Sequence, residues 1–257
     1  MSSIARALPA IVSLVWLCAT GMCPGKTLGL YRDESSGITD GMLRALREAG
    51  WQVTMLTAPD LANEAKLAGM DVVFLPGGNN VYDFADFNAR RSLVKYAAGG
   101  KGILAGAFRG GYVCTANRPL FPQVAEVYNK VNGSTVVSFG DSELAKAIDQ
   151  PFFTGGRDHG VLKVGPLGTI FAVSPGDNAP IGAHGSVYGG RYIVFAAPIG
   201  MAAATNAMDG TSKQVLLKML DWLAAAPKLG EAHRAAHQAQ ALLDFLRREK
   251  TMDWTLN

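Results

Sequence analysis

Leu75-Pro-Gly-Gly-Asn79, followed further along by Gly100-Lys-Gly-Ile-Leu-Ala-Gly-Ala-Phe-Arg-Gly-Gly-Tyr112, decides the fold of this chain. Each half reads as a buried strand running into a glycine turn, and the second turn opens a helix. A strand that bends sharply into a helix is the layout of a nucleophile elbow, which holds one side chain beside free backbone N–H groups. Yet no Cys, Ser, Thr, Asp or Glu lies between Lys101 and Gly111. The scaffold is an enzyme's, and the reactive atom is missing.

Working outward, Thr27–Tyr31 is a short apolar run and predicts the first strand. Asp33–Gly37 supplies loop and cap chemistry. Met42, Leu43, Leu46 and Ala49 then recur at helical spacing, and Gly50 stands where a helix ends in the left-handed conformation. Val53–Leu56 predicts the second strand, Asp60–Leu67 a short helix and Asp71–Leu75 the third strand. A helix over Phe84–Ala98 ends at Gly99-Gly100, and Ile103–Ala107 forms the fourth strand. Apolar strands of four to six residues alternating with helices indicate parallel β-α-β units, buried on both faces by the crossover helices. Ligands on such sheets bind at the carboxyl ends of the strands.

The second half carries more β signals. Thr135–Phe139, Gly160–Val164, Thr169–Val173, Ala179–Ala183 and Tyr192–Ala196 are strand candidates, with Gly185–Arg191 as the turn between the last two. Thr211–Ala225 is amphipathic, with Val215, Leu216, Met219, Leu220 and Leu223 on one face. Glu231–Lys250 follows Pro227 as a charged helix whose apolar residues crowd near its end, and loose packing is expected of it. The fold class is therefore α/β. The expected architecture is a flavodoxin-like three-layer sandwich with a mainly parallel central sheet, antiparallel strands in the second half and a C-terminal helical appendage.

The chain has 257 residues, 49% hydrophobic and 18% charged, with a net charge of +3. No basic stripe with interleaved aromatics is present, which speaks against a nucleic-acid partner. Arg6, the apolar run Leu8–Ala19 and the small residues up to Gly21 read as a secretory signal peptide, cleaved after Gly21. That apolar run is short of the roughly 20 residues a spanning helix needs, so no stable membrane span is expected after leader removal. The expected organisation is residues 1–21 as signal peptide, 26–226 as one domain and 228–257 as a C-terminal helix, in a secreted or periplasmic protein. Three cysteines make no disulfide framework, and a Cys23–Cys114 bridge is neither required nor forbidden.

The order strand, Pro-Gly-Gly loop, helix, Gly-Gly-Lys-Gly, strand and glycine elbow resembles the class I glutamine amidotransferase-like superfamily. More narrowly, it is similar to bacterial proteins related to the amino-terminal domain of biotin-protein ligase. Their elbow typically reads Gly-Ile-Cys-Ala-Gly-Ala-Tyr, and a later Tyr-Asn-Gly-Gly is matched here by Phe153-Thr-Gly-Gly156. A Tyr-Gly-x-Gly-Arg turn is matched approximately by Tyr188-Gly-Gly-Arg191. The resemblance covers roughly Thr27 to Ala225. The elbow fits two registers, with either Leu104 or Phe108 at the nucleophile position, and strand length favours Phe108. Either way the thiol is absent. The catalytic His and Glu that the resemblance implies after the last strand are also absent, since Ala197-Pro-Ile-Gly200 stands there.

A glutaminase needs a thiolate, a base and oxyanion donors. Only the donors remain: N–H groups near Gly77 and Gly78, and those at the helix start after Phe108. Arg109 beside a helix amino end makes an anion pocket or covers the sheet edge. Asn79 bonds a polar ligand or, as its position favours, caps the next helix. The expected ligand site is therefore Gly77, Gly78, Asn79, Phe108, Arg109 and Gly110, holding a small polar or anionic ligand. Nothing in the sequence calls for a cofactor. Asp158 and His159 offer an alternative acid/base pair, although neighbours on a strand point to opposite faces. His184 is a further acid/base candidate for which a structural hydrogen bond is favoured. His233 and His237 stand at metal-sharing spacing on a helix, yet read as a solvated face. Cys114 reads as a buried thiol. The functional expectation is an exported, non-catalytic domain that binds such a ligand or a partner at the degenerate elbow, and a homo-oligomer is compatible with it. The alternatives are a hydrolase or lyase rebuilt around His159, Asp158 or His184, and a scaffold that works through the C-terminal helix.

Overall fold

The computed structural model describes residues 25–33, 37–77, 86–107, 119–133, 136–148, 152–153, 158–199 and 210–251. In chain order the first half runs β1 (Thr27–Tyr31), α1 (Asp40–Glu48), β2 (Gln52–Leu56), α2 (Ala58–Leu61), α3 (Glu64–Ala68), β3 (Val72–Leu75), α4 (Phe87–Ala98) and β4 (Gly102–Gly106). The second half runs β5 (Ala125–Val131), β6 (Val136–Phe139), a 3-10 turn at Ala145–Ala147, β7 (Phe152–Phe153), β8 (His159–Val164), β9 (Thr169–Ser174), β10 (Ala179–Val187), β11 (Gly190–Phe195), α5 (Gly210–Ala224) and α6 (Glu231–Thr251).

Among the described residues, nine strands form one sheet in the order β2-β1-β3-β4-β11-β10-β9-β6-β7, while β5 and β8 make a separate antiparallel pair. From β2 to β11 every pairing is parallel. From β11 onward it is antiparallel. The expected α/β architecture, parallel first and antiparallel later with helices at the end, is what the chain adopts. The parallel strands β3 and β4 are buried at every residue, as strands covered on both faces must be. On one face α5 packs over β4, β11 and β3 and touches α1; on the other, α4 lies between α3 and α6.

Local chemistry sets the boundaries. Thr39 caps α1 by accepting from Met42 N, and Gly50 with φ +84° follows the helix end. Instead of one helix over 60–67 there are two. The first ends at Ala62, and Asn63 starts the second by accepting from Lys66 N. The turn expected over Gly185–Arg191 shrinks to Tyr188-Gly189, because β10 continues to Val187 in register with β11. Both turn residues have positive φ, 49° and 86°, the requirement of a two-residue turn that matches the twist of its strands.

The terminal helix is an appendage in sequence but not a loose one. Arg90 of α4 donates both terminal nitrogens to the two Glu249 oxygens at 2.5 Å, with side chains only 1% and 4% exposed. Phe87 and Phe245 pack ring to ring at 5.3 Å, and Gln238 donates to the Lys95 carbonyl. Leu243 and Leu246, by contrast, remain exposed. Among the described residues no helix is long and apolar enough to cross a membrane. The leader residues, Cys23 and Cys114 lie outside the described residues.

Candidate functional site

The carboxyl ends of β1, β3, β4 and β11 share one edge because these strands are parallel. With strand order β2-β1-β3, the connections leave β1 in opposite directions, which opens a crevice beside it. Tyr31, Arg32, Pro76, Gly77 and Ala107 occupy this edge, and Arg32 is exposed there.

Ala107 is its most informative residue. It follows β4 directly, is 3% exposed and has φ +44°. For a residue with a Cβ this backbone is costly, and such strain collects at functional turns. Gly106 just before it has a clear steric reason. A Cβ there would stand 3.0 Å from the Gly77 amide nitrogen, tighter than an ordinary contact, so the ends of β3 and β4 could come this close with a side chain there only if the Gly77 backbone shifted. A positive-φ residue at the end of β4 and a backbone amide close beside it are therefore both present. Ala107 itself carries only a methyl group, which has neither lone pair nor proton for nucleophilic work.

Leu104, one of the two registers, lies in mid-strand, fully buried between Phe74 and Ile193. The strand must end before the turn can begin, so Leu104 is not the crest. Phe108, the register that strand length favours, directly follows Ala107 and lies outside the described residues. Gly78, Asn79, Phe108, Arg109 and Gly110 lie outside the described residues; Gly77 is buried at the edge.

Asp158 and His159 both answer to Gly133. Asp158 accepts from the Gly133 N–H at 3.0 Å and pairs with Lys130 Nζ at 2.6 Å. The Lys130 ammonium, first, and then the Gly133 amide hold the Asp158 carboxyl below its usual range. His159 is 4% exposed, and its Nδ1 lies 3.2 Å from the Gly133 carbonyl. A carbonyl can only accept, so Nδ1 carries the proton. The next residue, Gly160, donates to the Ala196 carbonyl at 2.8 Å. Ala196 lies one residue past the Phe195–Gly106 pair, so His159 approaches the same sheet edge as Ala107.

His184 is elsewhere. It pairs with Ile193, level with Leu104 inside the sheet, and its ring meets Trp222 of α5 edge-on at 4.7 Å. Its Nε2 has no hydrogen-bond partner among the described residues, in contrast to the structural bond expected. Burial lowers its pKa, and Arg191 adds to that against an opposing effect of Glu143. His233 is exposed, and His237 is half-buried against the Gly189 turn. Among the described residues no cluster of three or more His, Cys, Asp or Glu could hold a metal ion.

No family model matches the chain, and no curated protein matches it. Solved structures do. A cytoplasmic protein from Salmonella typhimurium superposes with TM-score 0.56 at 13% identity, covering 77% of this chain and 98% of that one. A protein from Bacteroides uniformis described as ThuA-like gives 0.55 at 13%, covering 77% and 91%. A Thermoplasma acidophilum protein described as belonging to GMP synthase gives 0.51 at 14%, covering 84% and 97%. At such identities the likeness concerns architecture alone. These structural neighbours have class I glutamine amidotransferase-like folds, and this chain shares their architecture.

Proposed function

We propose that this chain is an exported amidotransferase-like domain that binds a small polar or anionic ligand at the carboxyl edge of its sheet, without covalent catalysis. One observation carries the reading: Ala107, the positive-φ residue that ends β4, offers a methyl, and no Cys, Ser, Thr, Asp or Glu stands between Lys101 and Gly111 where a glutaminase needs a thiolate. The buried Gly77 amide beside Gly106 supports anion binding, because backbone N–H groups at such turns stabilise negative charge. Arg109 and Gly110, two and three residues past Ala107, would add a guanidinium and another amide. The leader pattern in residues 1–21 supports export. The elbow string and the Tyr188-Gly-Gly-Arg191 turn support kinship with proteins related to the amino-terminal domain of biotin-protein ligase.

The test pairs activity with binding. Ammonia release from glutamine should stay at background. A panel of carboxylates and sugar acids should yield a ligand by thermal shift. Arg109→Ala should weaken that ligand roughly 10- to 100-fold, the range for losing a charge-assisted hydrogen bond. Glutamine turnover abolished by Cys114→Ser would overturn the non-catalytic reading. Unchanged binding in Arg109→Ala would remove that residue from the site.

A second reading, a hydrolase or lyase using His159, is supported by the Gly160–Ala196 bond that draws His159 toward the edge. It requires a hydrolytic or elimination activity that His159→Gln abolishes.

A further inference from the structure

At the amino edge of the sheet, opposite the elbow, a cavity of about 460 Å³ lies between α3, the end of α4, the turn before β4 and the start of α6. This is a volume typical of small-molecule sites, roughly 300–1,000 Å³. Leu67, Ala68 and Tyr96 give it an apolar wall, and Glu64, Lys95, Lys101 and Arg234 line the rest with charge.

That charge does not balance. Glu64 pairs with Lys95 at 2.5 Å and has Arg91 at 3.8 Å, so its carboxylate is already countered. Asp71, behind Lys101, accepts from the Thr27 N–H and hydroxyl, both at 2.9 Å. It leaves the Lys101 ammonium at 3.6 Å, beyond hydrogen-bond length. Arg234 is exposed and pairs with no carboxylate among the described residues; one of its N–H groups goes to the Leu229 carbonyl at 3.2 Å. Arg91, Lys95, Lys101 and Arg234 thus stand against only Glu64 and Asp71. The carbonyl end of α4 also points here and would repel an anion if it were open. It is closed: Lys95 O accepts from Gly99 and Gln238, Tyr96 O from Gly99, and Ala97 O from Gly100 and Lys101. A guanidinium and an ammonium beside an apolar wall suit a doubly charged head on a small organic body.

We propose that this cavity binds a small phosphomonoester, its phosphoryl group between Arg234 and Lys101 and its organic part against Leu67, Ala68 and Tyr96. The site is separate from the carboxyl-edge pocket and does not depend on it. A phosphomonoester carries nearly two negative charges at neutral pH, and a carboxylate carries one. Calorimetric titration of the full chain with phenyl phosphate, with benzoate as the singly charged control, tests it. Phenyl phosphate should bind at least about tenfold tighter than benzoate, and added salt should weaken it. Arg234→Gln and Lys101→Gln should each weaken phenyl phosphate about tenfold. The exposed Arg234 should be replaced with no change in the ligand-free melting temperature. Glu64→Gln should act in the opposite direction and tighten binding, because it takes a carboxylate out of the cavity. Arg109→Ala, at the other edge of the sheet, should leave phenyl phosphate binding unchanged. No binding of phenyl phosphate, or equal affinity for the two probes, overturns the proposal. Undiminished binding to Arg234→Gln or Lys101→Gln does the same, as does a failure of Glu64→Gln to tighten it. Binding lost in Arg109→Ala also overturns it, because the anion would then sit at the carboxyl edge.

Discussion

At the level of single residues, His184 ties the sheet interior to solution pH. Its ring is enclosed by Trp222 and Phe171, and burial disfavours its charged form. In the unfolded chain the same imidazole titrates near about 6.5. As pH falls below that value, the unfolded state takes up a proton that the folded state refuses, and stability drops until the lowered folded pKa is passed. Above that value the residue adds no pH dependence. His184→Phe keeps a ring against Trp222 and should remove this slope, which is at most about 1.4 kcal/mol per pH unit. Urea midpoints of both proteins at pH 7.5 and pH 5 check it: the wild type should lose more stability between the two, and equal losses would refute the account. His184 and Ala107 also mark what sequence reading misses at this scale. Neither a missing hydrogen bond nor a positive φ has a sequence signature when the residue is an ordinary His or Ala. The absent thiol, by contrast, is plain from composition between Lys101 and Gly111.

Among the elements, α2 shows how a short helix is held in place by its cap. Asp60 accepts from the Thr57 N–H and hydroxyl, both at 2.8 Å, and pairs with Lys66 at 2.7 Å. The Lys66 interaction first, and then the Thr57 amide, bring its pKa down to about 2. A lowered carboxyl pKa stabilises the fold fully above the unfolded value near 4, and that contribution disappears as pH falls toward 2. Asp60→Asn should cost about 1 kcal/mol at neutral pH, the usual value of such a cap. The deficit should shrink to nothing in acid titrations followed by circular dichroism down to pH 2; a constant deficit would exclude the charge as its cause. The parallel half is legible element by element, because buried strands are apolar throughout and Gly50 and Gly99-Gly100 punctuate the helices. β5 is not. Ala125-Glu-Val-Tyr-Asn-Lys-Val131 mixes charge with apolar residues, since it pairs only with β8 and leaves Tyr128 exposed. β10 reads short because Gly182, His184, Gly185 and Ser186 look like turn residues, although pairing with β11 holds them in a strand.

For the molecule as a whole, the question is whether α6 can be separated from the sheet. Its sequence suggests an add-on: it follows Pro227, is charged, and lies beyond the stretch that resembles amidotransferase-like proteins. The packing argues the reverse. Arg90 belongs to α4, a helix of the parallel core; its side chain is 1% exposed, with Glu249 paired to it and the Phe245 ring beside it. An ion pair this deep contributes little net stability compared with apolar residues, but removing one member takes a close counter-charge from the other in a buried place. Glu249→Ala should therefore cost about 3–5 kcal/mol in urea unfolding. Replacing both partners, Arg90→Leu with Glu249→Leu, should recover most of that loss. Deleting residues 228–257 removes the Glu249 carboxylate from Arg90 and the Phe245 ring from Phe87. The truncated chain should consequently lose its cooperative thermal transition rather than merely change oligomeric state. A truncation that unfolds cooperatively with an unchanged midpoint would instead make α6 dispensable, and the scaffold reading of the C-terminal helix would gain what the packing now denies it.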